Sequence, residues 1–333
     1  MNNENLNSLL TEPLQTETVS AFTGDDMLTC GTCSRKSPPN RVKCIYCGDG
    51  LDVNIRDIQR VRLLHRKLEA WEKGWNVVLS PGNETPEPSV ISKLAVDLAL
   101  NDEFAKQALG QRSPVPVARV ETEKEAALWV EKLKSYGVES VVVADEELNV
   151  ENRPRRVRGI RVLDNGLEFI DFNTMGVTSV EPGAIRLVVT GRIFTDMSEK
   201  LENRRGGKSE AVDEYVSSND EPVVDIYLGD KIGHRVYATG FDFSFLGSAK
   251  TNIAGENCER LVERILSGSR SAKLVDSYRG VRTLLTQVWD VDQSIEFGGP
   301  QRSGLRGAQT KRKITRTNLT QFTKFSRLQS LIG

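Results

Sequence analysis

Four cysteines near the start of the chain have the spacing of metal ligands. Cys30 and Cys33 enclose Gly-Thr, Cys44 and Cys47 enclose Ile-Tyr, and ten residues separate the two pairs. Each Cys-x-x-Cys pair offers two thiolate sulfurs to one ion, and two pairs complete a tetrahedral Zn²⁺ shell. Because four sulfurs leave no coordination position for water or substrate, these residues predict a structural Zn²⁺ cofactor that takes no part in a reaction.

Two other uses of these thiols fit the sequence less well. A redox pair of the thioredoxin kind stands at the start of a helix that follows a strand, and neither pair has that context. Two disulfides require an oxidising compartment, whereas the N-terminal sequence from Met1 to Leu6 lacks the basic start and apolar run of a signal peptide. The fifth cysteine, Cys258, falls in a helical pattern and is interpreted as a small buried hydrophobic residue.

The stretch from Cys30 to Leu51 resembles the short zinc ribbons at the start of many otherwise unrelated bacterial proteins. In those ribbons a Cys-x-x-Cys pair and a polar loop with prolines precede a Cys-x-x-Cys-Gly sequence and a nearby leucine. Here Gly48 and Leu51 match that pattern, and Ser34 replaces the usual glycine after the first pair. The resemblance implies a zinc-ribbon fold and a bound metal. It selects no function, because members of this superfamily serve many purposes.

Length and composition exclude several classes of protein. The chain has 333 residues, 38% hydrophobic and 27% charged residues, and a formal net charge of −1. These values predict a globular protein of two or three domains and argue against a disordered, membrane or globally nucleic-acid-binding class. No run approaches the roughly 18 apolar residues that cross a bilayer. We therefore expect a cytoplasmic protein.

The segment after the cysteines is predicted to be helical. Apolar residues recur at helical spacing from Ile55 to Trp71 with arginine and lysine between them, which predicts a basic amphipathic helix that ends near Gly74. A second helix is predicted over residues 88–109. The short apolar segment 75–79 lies between them.

Residues 115–144 are predicted to form a βαβ unit. Two apolar extended segments flank a helix whose start is marked by a capping box of Thr122 and Glu125, and Gly137 ends it. The first turn of this unit is acidic and lacks the glycines that a dinucleotide phosphate requires.

From residue 156 the pattern changes to short alternating strands. An Asn-Gly pair at 165–166 predicts a hairpin between strands 160–163 and 167–170, and a helix is predicted over 255–267. Strands followed by one helix resemble PH-like domains in element order. Further predicted elements are strands at 185–194, 222–228, 234–239 and 241–246, a polar loop at 198–220 and a helix at 272–289.

The last segment is basic. No acidic residue occurs from Gln301 onward, residues 298–313 are predicted to be a loose linker, and a short amphipathic helix is predicted from Leu319 to Ile332. Such a segment could contact a protein, nucleic acid or an anionic lipid surface, or pack on its own domain.

The sequence therefore predicts an α+β multidomain protein. Its predicted parts are a disordered leader at 1–28, a zinc ribbon at 29–52, a helical segment at 53–110, a βαβ unit at 114–150, a β-rich, PH-like domain at 156–268, a helix at 270–290 and a basic tail at 291–333.

No catalytic site is predicted. His65 and His234 stand outside contexts typical of a catalytic base, the segment from Gly247 to Thr251 lacks the spacing of a phosphate loop, and hydrolase signatures are absent. The leading hypothesis is a non-enzymatic zinc-binding interaction or regulatory protein that acts through protein–protein contacts. The alternative is a nucleic-acid-associated factor that uses the ribbon, the basic helix at 56–67 and the basic tail.

Overall fold

The computed structural model of the protein separates into two compact units, Met1–Leu64 and His65–Gly333. Most of the predicted leader, and the part of the predicted basic helix before Arg66 except Leu63, lie outside the described residues. The domain boundaries drawn from the sequence stay predictions. The structure describes residues 23–25, 27–39, 41, 43–53, 63, 66–81, 86–163, 166–205, 208–229, 232–269, 271–303 and 307–333.

The first unit has very short strands. Strand β1 (Leu28–Thr29) pairs antiparallel with β2 (Lys36–Ser37). A second antiparallel bridge joins Lys43 to Gly50. Each of these two pairings closes a loop that contains one Cys-x-x-Cys pair.

The second unit contains a three-stranded antiparallel sheet in the order β4-β3-β5. The predicted strands and helix of the βαβ unit are confirmed, but β3 lies between the two strands and pairs with both. Thr122 caps α3 by accepting a hydrogen bond from the Glu125 amide at 3.2 Å, and Gly137 follows the helix with φ of 75°. The elements are β3 (Trp75–Leu79), α1 (Pro88–Asp97), α2 (Asp102–Leu109), β4 (Val115–Val120), α3 (Glu123–Ser135), β5 (Ser140–Ala144) and α4 (Asp145–Leu148).

Two helix predictions in this region are wrong in extent. The predicted helix at 88–109 is broken into α1 and α2, because Ala99 takes a left-handed φ of 50° and the Asn101 side chain caps the amides of Glu103 and Phe104. The described end of the predicted basic helix, residues 66–74, is not helical. There the two nitrogens of the Arg66 guanidinium donate to both carboxylate oxygens of Glu72 at 2.8 Å, which fixes a turn.

A nine-stranded mixed sheet forms the larger part of the second unit. Its order is β13-β14-β9-β10-β11-β6-β7-β8, with β12 paired to β9, and the β11–β6 and β12–β9 pairs are parallel. The predicted hairpin around Gly166 is confirmed. The strands are β6 (Arg155–Leu163), β7 (Gly166–Asp171), β8 (Val177–Val180), β9 (Leu187–Arg205), β10 (Lys208–Tyr227), β11 (His234–Tyr237), β12 (Lys273–Val275), β13 (Asp292–Ser303) and β14 (Gly307–Thr317).

The predicted polar loop at 198–220 and loose linker at 298–313 are both wrong. Strands β9 and β10 continue through the first segment as one long hairpin, and β13 and β14 form a second hairpin whose β14 pairs with β9. Ion pairs join neighbouring strands, with Lys200 3.0 Å from Glu214 and Lys311 2.6 Å from Glu199. Polar sequence therefore forms strands here because opposite charges face each other across the ladder.

Three helices pack on the large sheet: α5 (Ala254–Gly268), α6 (Tyr278–Leu285) and α7 (Leu319–Ile332). Helix α5 confirms the predicted helix at 255–267. The predicted helix at 272–289 is shorter than expected, because its first residues form β12 beside β9. The predicted strand at 241–246 is wrong: Asp242 forms only an isolated bridge with Gly159, and Ser244–Ala249 is a 3₁₀ turn.

The predicted amphipathic helix at 319–332 is confirmed and packs on its own unit. Phe322, Phe325 and Leu328 of α7 are all 0% exposed. Strand β9 approaches this helix closely at Gly191, where a Cβ atom would lie 2.5 Å from the Phe322 ring. Only glycine fits that position without displacing the ring.

Asn318 joins β14 to α7 and is completely buried. Its side chain accepts a hydrogen bond from the Phe194 amide at 2.8 Å and donates to the Arg192 carbonyl at 3.0 Å and the Tyr278 hydroxyl at 2.9 Å. One residue thus ties the start of α7 to β9 and α6.

Among the helices of the described residues, none has the length and apolar content needed to cross a membrane.

Candidate metal centre

The four predicted ligands come together in the first unit. The Sγ atoms of Cys30, Cys33, Cys44 and Cys47 all lie within 4.8 Å of one another. Two of the separations are shorter, 3.6 Å between Cys30 and Cys47 and 3.5 Å between Cys33 and Cys44. Zinc–sulfur bonds of about 2.3 Å in a tetrahedron place sulfurs about 3.8 Å apart, so this set can hold a metal ion such as zinc.

The same distances rule out disulfides in this arrangement. A disulfide bond is about 2.05 Å long, and all five cysteines are free. The sulfurs pair between the two Cys-x-x-Cys turns, Cys30 with Cys47 and Cys33 with Cys44. An ion placed among them would therefore join the two turns.

Each Cys-x-x-Cys turn ends in a residue with left-handed backbone. Gly48 has φ of 76° and Ser34 has φ of 58°. The amides of both residues donate to the carbonyl of the first cysteine of their turn, Ser34 to Cys30 at 2.9 Å and Gly48 to Cys44 at 3.0 Å. The two turns thus share one geometry, and the first adopts it with a serine, in which left-handed backbone is disfavoured.

Hydrogen bonds around Cys44 stabilise its thiolate. The Ser37 hydroxyl donates to its sulfur at 3.5 Å and the Tyr46 amide does so at 3.4 Å. The Ser37 bond, with the amides of Cys47 and Tyr46, outweighs desolvation and lowers the pKa of the Cys44 thiol to about 6. Donors of this kind orient the sulfur of a metal ligand and favour its charged form.

The pKa of the Cys47 thiol is raised instead of lowered. Its sulfur accepts from the Asp49 amide, which lowers its pKa, but desolvation and the neighbouring sulfurs of Cys33, Cys30 and Cys44 raise that pKa to about 12. Four thiolates at this distance repel one another unless a cation lies between them. Metal binding therefore displaces protons from the cluster, and the cluster without metal keeps at least one thiol.

The second turn presents apolar side chains to solvent. Ile45 and Tyr46, between two of the candidate ligands, are 49% and 54% exposed. The guanidinium of Arg35 lies 5.0 Å from the centre of the Tyr46 ring. The metal cluster thus sits beside an exposed aliphatic and aromatic pair.

The other described residues that the sequence singled out lie in the second unit. Cys258 belongs to α5 and is buried in the core, where desolvation raises the pKa of its thiol to about 12. His234 is buried with its ring 5.1 Å from the Phe169 ring. Gly247 and Lys250 belong to the 3₁₀ turn and its end. His65 lies outside the described residues.

A buried ionic network in the second unit was missed by sequence reasoning. Arg235 donates to both carboxylate oxygens of Asp225, at 2.6 and 2.7 Å, and both side chains are at most 3% exposed. From α7, Ser326 donates to Asp225 at 2.6 Å, while Thr323 accepts from Arg235 at 3.0 Å. The sequence signal was weak, because Asp225 stands alone in an apolar strand and Arg235 in a short polar one.

A cavity of about 410 Å³ in the second unit was also missed. Lys324 of α7 lines it, with its ammonium 3.7 Å from Asp145 and 5.7 Å from the Trp289 ring centre. Arg119 also pairs with Asp145 at 2.6 Å. Burial raises the pKa of Asp145, but the charge of Lys324 and hydrogen bonds from Arg119 and Asn76 outweigh it, and the pKa lies below its ordinary value.

No family model, curated protein sequence or solved structure matches this chain.

Proposed function

We propose that the chain is a non-enzymatic zinc-binding protein whose first unit contacts another protein. The observation that carries this proposal is the position of Ile45 and Tyr46, half exposed between two cysteines of a cluster that spans less than 4.8 Å. A closed four-sulfur site supplies no catalytic position, but it fixes the backbone that displays its neighbours. Aromatic side chains exposed on a rigid turn are typical contacts in protein interfaces.

The finer features of the proposal follow from the same residues. The first unit is a zinc ribbon, its ion is structural, and the ion's ligands are Cys30, Cys33, Cys44 and Cys47. Free thiols 3.5 Å apart persist in a reducing compartment, which supports a cytoplasmic location. The β-rich region is PH-like in the sense that its strands precede a helix, α5, that packs on β10.

Protein contacts are better supported than nucleic-acid contacts. The nucleic-acid alternative loses two cations of the last segment, Lys324 and Arg327, which are only 9% and 2% exposed, and keeps the exposed cations of β14, Lys311, Arg312 and Arg316. Buried cations are not available to phosphates, whose neutralisation drives such binding. A salt-dependent shift with generic DNA or RNA would favour the alternative, and no binding at low salt would remove it.

The metal part is tested by zinc content. Protein purified under reducing conditions should contain one zinc per chain, and Cys44→Ala should lower that content sharply, because three sulfurs no longer close the site. Cys258→Ala is the matched control, since this cysteine is buried in the core of the second unit. Zinc-free wild-type protein, or zinc content unchanged in Cys44→Ala, would refute the metal assignment.

The interaction part is tested with an exposed-surface variant. The double variant Ile45→Ser/Tyr46→Ser should keep its zinc and lose proteins captured by the wild type from the source cell, as measured by quantitative mass spectrometry. Val96→Ser is the control, because Val96 is 57% exposed on α1 and far from the cysteines in sequence. Each protein lost should then bind the purified wild type directly.

The metal assignment and the proposed contact surface can be refuted independently. An unchanged set of captured proteins with normal zinc content would overturn the contact surface and leave the metal site standing. Loss of the same proteins from the Val96→Ser control would show that the effect is not specific to the ribbon.

A further inference from the structure

The cavity of about 410 Å³ in the second unit has the size of a site for a small molecule. Ligand pockets in proteins ordinarily measure about 300–1,000 Å³. Lys324 of α7, Trp71 before β3 and Trp289 after α6 all contribute to its wall. Trp71 is 79% exposed. An exposed indole at a cavity offers a large apolar surface to a ligand.

The ammonium of Lys324 has no hydrogen-bond acceptor among the described residues. Lys324 is only 9% exposed, and the Asp145 oxygen that pairs with it is 3.7 Å away. This separation is longer than the roughly 2.7–3.2 Å of an N–H···O hydrogen bond. Desolvation lowers the pKa of Lys324, although the charge of Asp145 opposes that change. Because a buried charge with unused donors is costly, the ammonium calls for an acceptor inside the cavity.

Asp145 does not depend on Lys324 for its own hydrogen bonds. One carboxylate oxygen accepts from Arg119 Nε at 2.8 Å and from the Gly74 amide at 3.0 Å. The other oxygen accepts from the Asn76 side-chain amide at 3.0 Å. Arg119 also supplies the opposite charge, at 2.6 Å. Lys324 can therefore donate to a bound molecule while Asp145 stays paired.

Most other acidic residues of the cavity wall have a basic partner. The pairs are Glu72 with Arg66 at 2.8 Å, Glu146 with Lys73 at 3.2 Å, and Asp290 with Lys67 at 2.5 Å. Asp292 and Glu151 also line the cavity, and neither forms an ion pair with a basic residue in the described part of the chain. The charge of Asp292 acts on Lys324 and raises its pKa, so the two groups are close. One ammonium and two carboxylates thus remain for a ligand.

A ligand with a single charge does not suit this arrangement. A simple anion would meet the ammonium of Lys324 and be repelled by Asp292 and Glu151, and a simple amine would meet the reverse. A zwitterion satisfies both signs. The rest of the wall includes two indoles and three aliphatic side chains, and it favours an apolar group between them: Leu68, Val150 and Val288 are the aliphatic residues.

We propose that this cavity binds an α-amino acid with an apolar side chain. Its carboxylate accepts hydrogen bonds from the Lys324 ammonium, and its own ammonium faces Asp292 and Glu151. Its side chain lies against Trp71 and Trp289. All these residues belong to the second unit, so the inference is independent of the proposed function of the first unit.

The first test compares three probes on the wild-type full chain by isothermal titration calorimetry. L-phenylalanine carries both charged groups, 3-phenylpropionate lacks the ammonium, and 2-phenylethylamine lacks the carboxylate. Titration to about 10 mM covers micromolar and millimolar dissociation constants. L-phenylalanine should bind saturably with one site per chain. Each truncated probe should bind at least about tenfold more weakly, because it leaves a charged group of the cavity without its partner. L-leucine should also bind.

The second test assigns the two charges to residues. Lys324→Met should weaken L-phenylalanine at least about tenfold and should not weaken 2-phenylethylamine, which has no carboxylate to lose. Asp292→Asn should weaken L-phenylalanine and leave 3-phenylpropionate unchanged. Its amide oxygen can still accept from the Thr320 amide, as Asp292 does at 3.0 Å. Lys106→Met, an exposed lysine on α2, is the matched control and should bind as the wild type does.

Far-UV circular dichroism checks that each variant is folded. Lys324→Gln, which keeps a polar head group without the charge, replaces Lys324→Met if that variant is unfolded, and the comparison of probes on the wild type needs no variant.

Three results would overturn the proposal. Absence of saturable binding of both L-phenylalanine and L-leucine would exclude an amino-acid site. Equal affinity of the wild type for all three phenyl probes would show that the charged groups are not recognised. Unchanged affinity of folded Lys324→Met for L-phenylalanine would place the binding outside this cavity.

Discussion

Replacing Asp225 should destabilise the second unit more than any surface change. Its carboxylate is 1% exposed, receives two hydrogen bonds from Arg235 and one from Ser326, and thus joins β10 to β11 and α7. Asp225→Ala leaves the Arg235 guanidinium buried without its counterion. Removal of one partner of a buried ion pair costs about 3–5 kcal/mol, because the remaining charge stays desolvated.

The expected loss of stability is large enough to measure by heat or denaturant. For domains of this size 1 kcal/mol lowers the melting temperature by about 2–4 °C, so Asp225→Ala should lower it by about 10 °C. All four tryptophans, Trp71, Trp75, Trp129 and Trp289, lie in the second unit. Tryptophan fluorescence in a urea titration therefore reports the free energy of unfolding of this unit alone.

Two further variants separate charge burial from loss of contacts. Asp225→Leu/Arg235→Met removes both charges and should cost less than about 2 kcal/mol, because apolar replacements of a buried pair are often tolerated. Glu214→Ala breaks the exposed pair with Lys200 and should cost less than about 1 kcal/mol. A cost below about 1 kcal/mol for Asp225→Ala, or a double variant as unstable as the single one, would refute this reasoning.

Three more predictions concern single residues. Ser34→Gly should raise the zinc affinity about fivefold in a chelator competition, because glycine removes about 1 kcal/mol of left-handed strain. Gly191→Ala should lower the free energy of unfolding by about 2 kcal/mol in urea, because its methyl group collides with Phe322. The pKa of Asp145 is lower in the folded state, so its contribution to stability is present above about pH 4 and is lost as the pH falls through the folded pKa. In Asp145→Asn, the midpoint of urea unfolding should fall less between neutral pH and about pH 3 than it does in the wild type.

Each of these predictions has a contradicting result. Unchanged or weaker zinc affinity of Ser34→Gly would show that the first turn is not strained, and Thr29→Gly in β1 serves as the comparison with ordinary backbone. Full stability of Gly191→Ala would mean that Phe322 can move. An acid dependence of Asp145→Asn equal to that of the wild type would exclude this carboxylate as its source.

Sequence reasoning succeeded where the determining interactions are local. The four cysteines assemble from two turns of four residues, Gly48 has a left-handed backbone, and Leu51 is buried. The capping of α3 by Thr122 depends on residues three apart. Such contacts are fixed by spacing along the chain, so a pattern in the sequence is sufficient to predict them.

Sequence reasoning failed where partners are distant along the chain. Nothing near residues 75–79 indicates that β3 pairs with β4 and β5 on both sides. Residues 195–201 of β9 and 214–221 of β10 lack the alternation of apolar and polar residues that marks a half-buried strand, and none of their side chains is buried. The pair Gly206–Gly207 is a hairpin signal, but the polar residues around it favoured a loop.

Composition alone could not decide how the last segment packs. Its lysines and arginines left open a contact with a partner or packing on its own domain, and Lys324 and Arg327 face the interior of the unit. The Lys324 ammonium pairs with the Asp145 carboxylate, and the Arg327 guanidinium donates a hydrogen bond to the Asn152 carbonyl at 2.8 Å. A long basic side chain can be buried when distant acceptors meet its head group, and no local pattern reveals those acceptors.

The buried junction at Asn318 has a mechanical consequence. Because β14 enters α7 through Asn318, whose side chain makes three hydrogen bonds to β9 and α6, β14 cannot slide along its neighbouring strands without pulling on that junction. Force applied to β14 is therefore transmitted to the helix whose residues surround the Asp225–Arg235 pair. A force on the outer strands therefore reaches the centre of the unit, and β14 and the core should unfold together rather than one after the other.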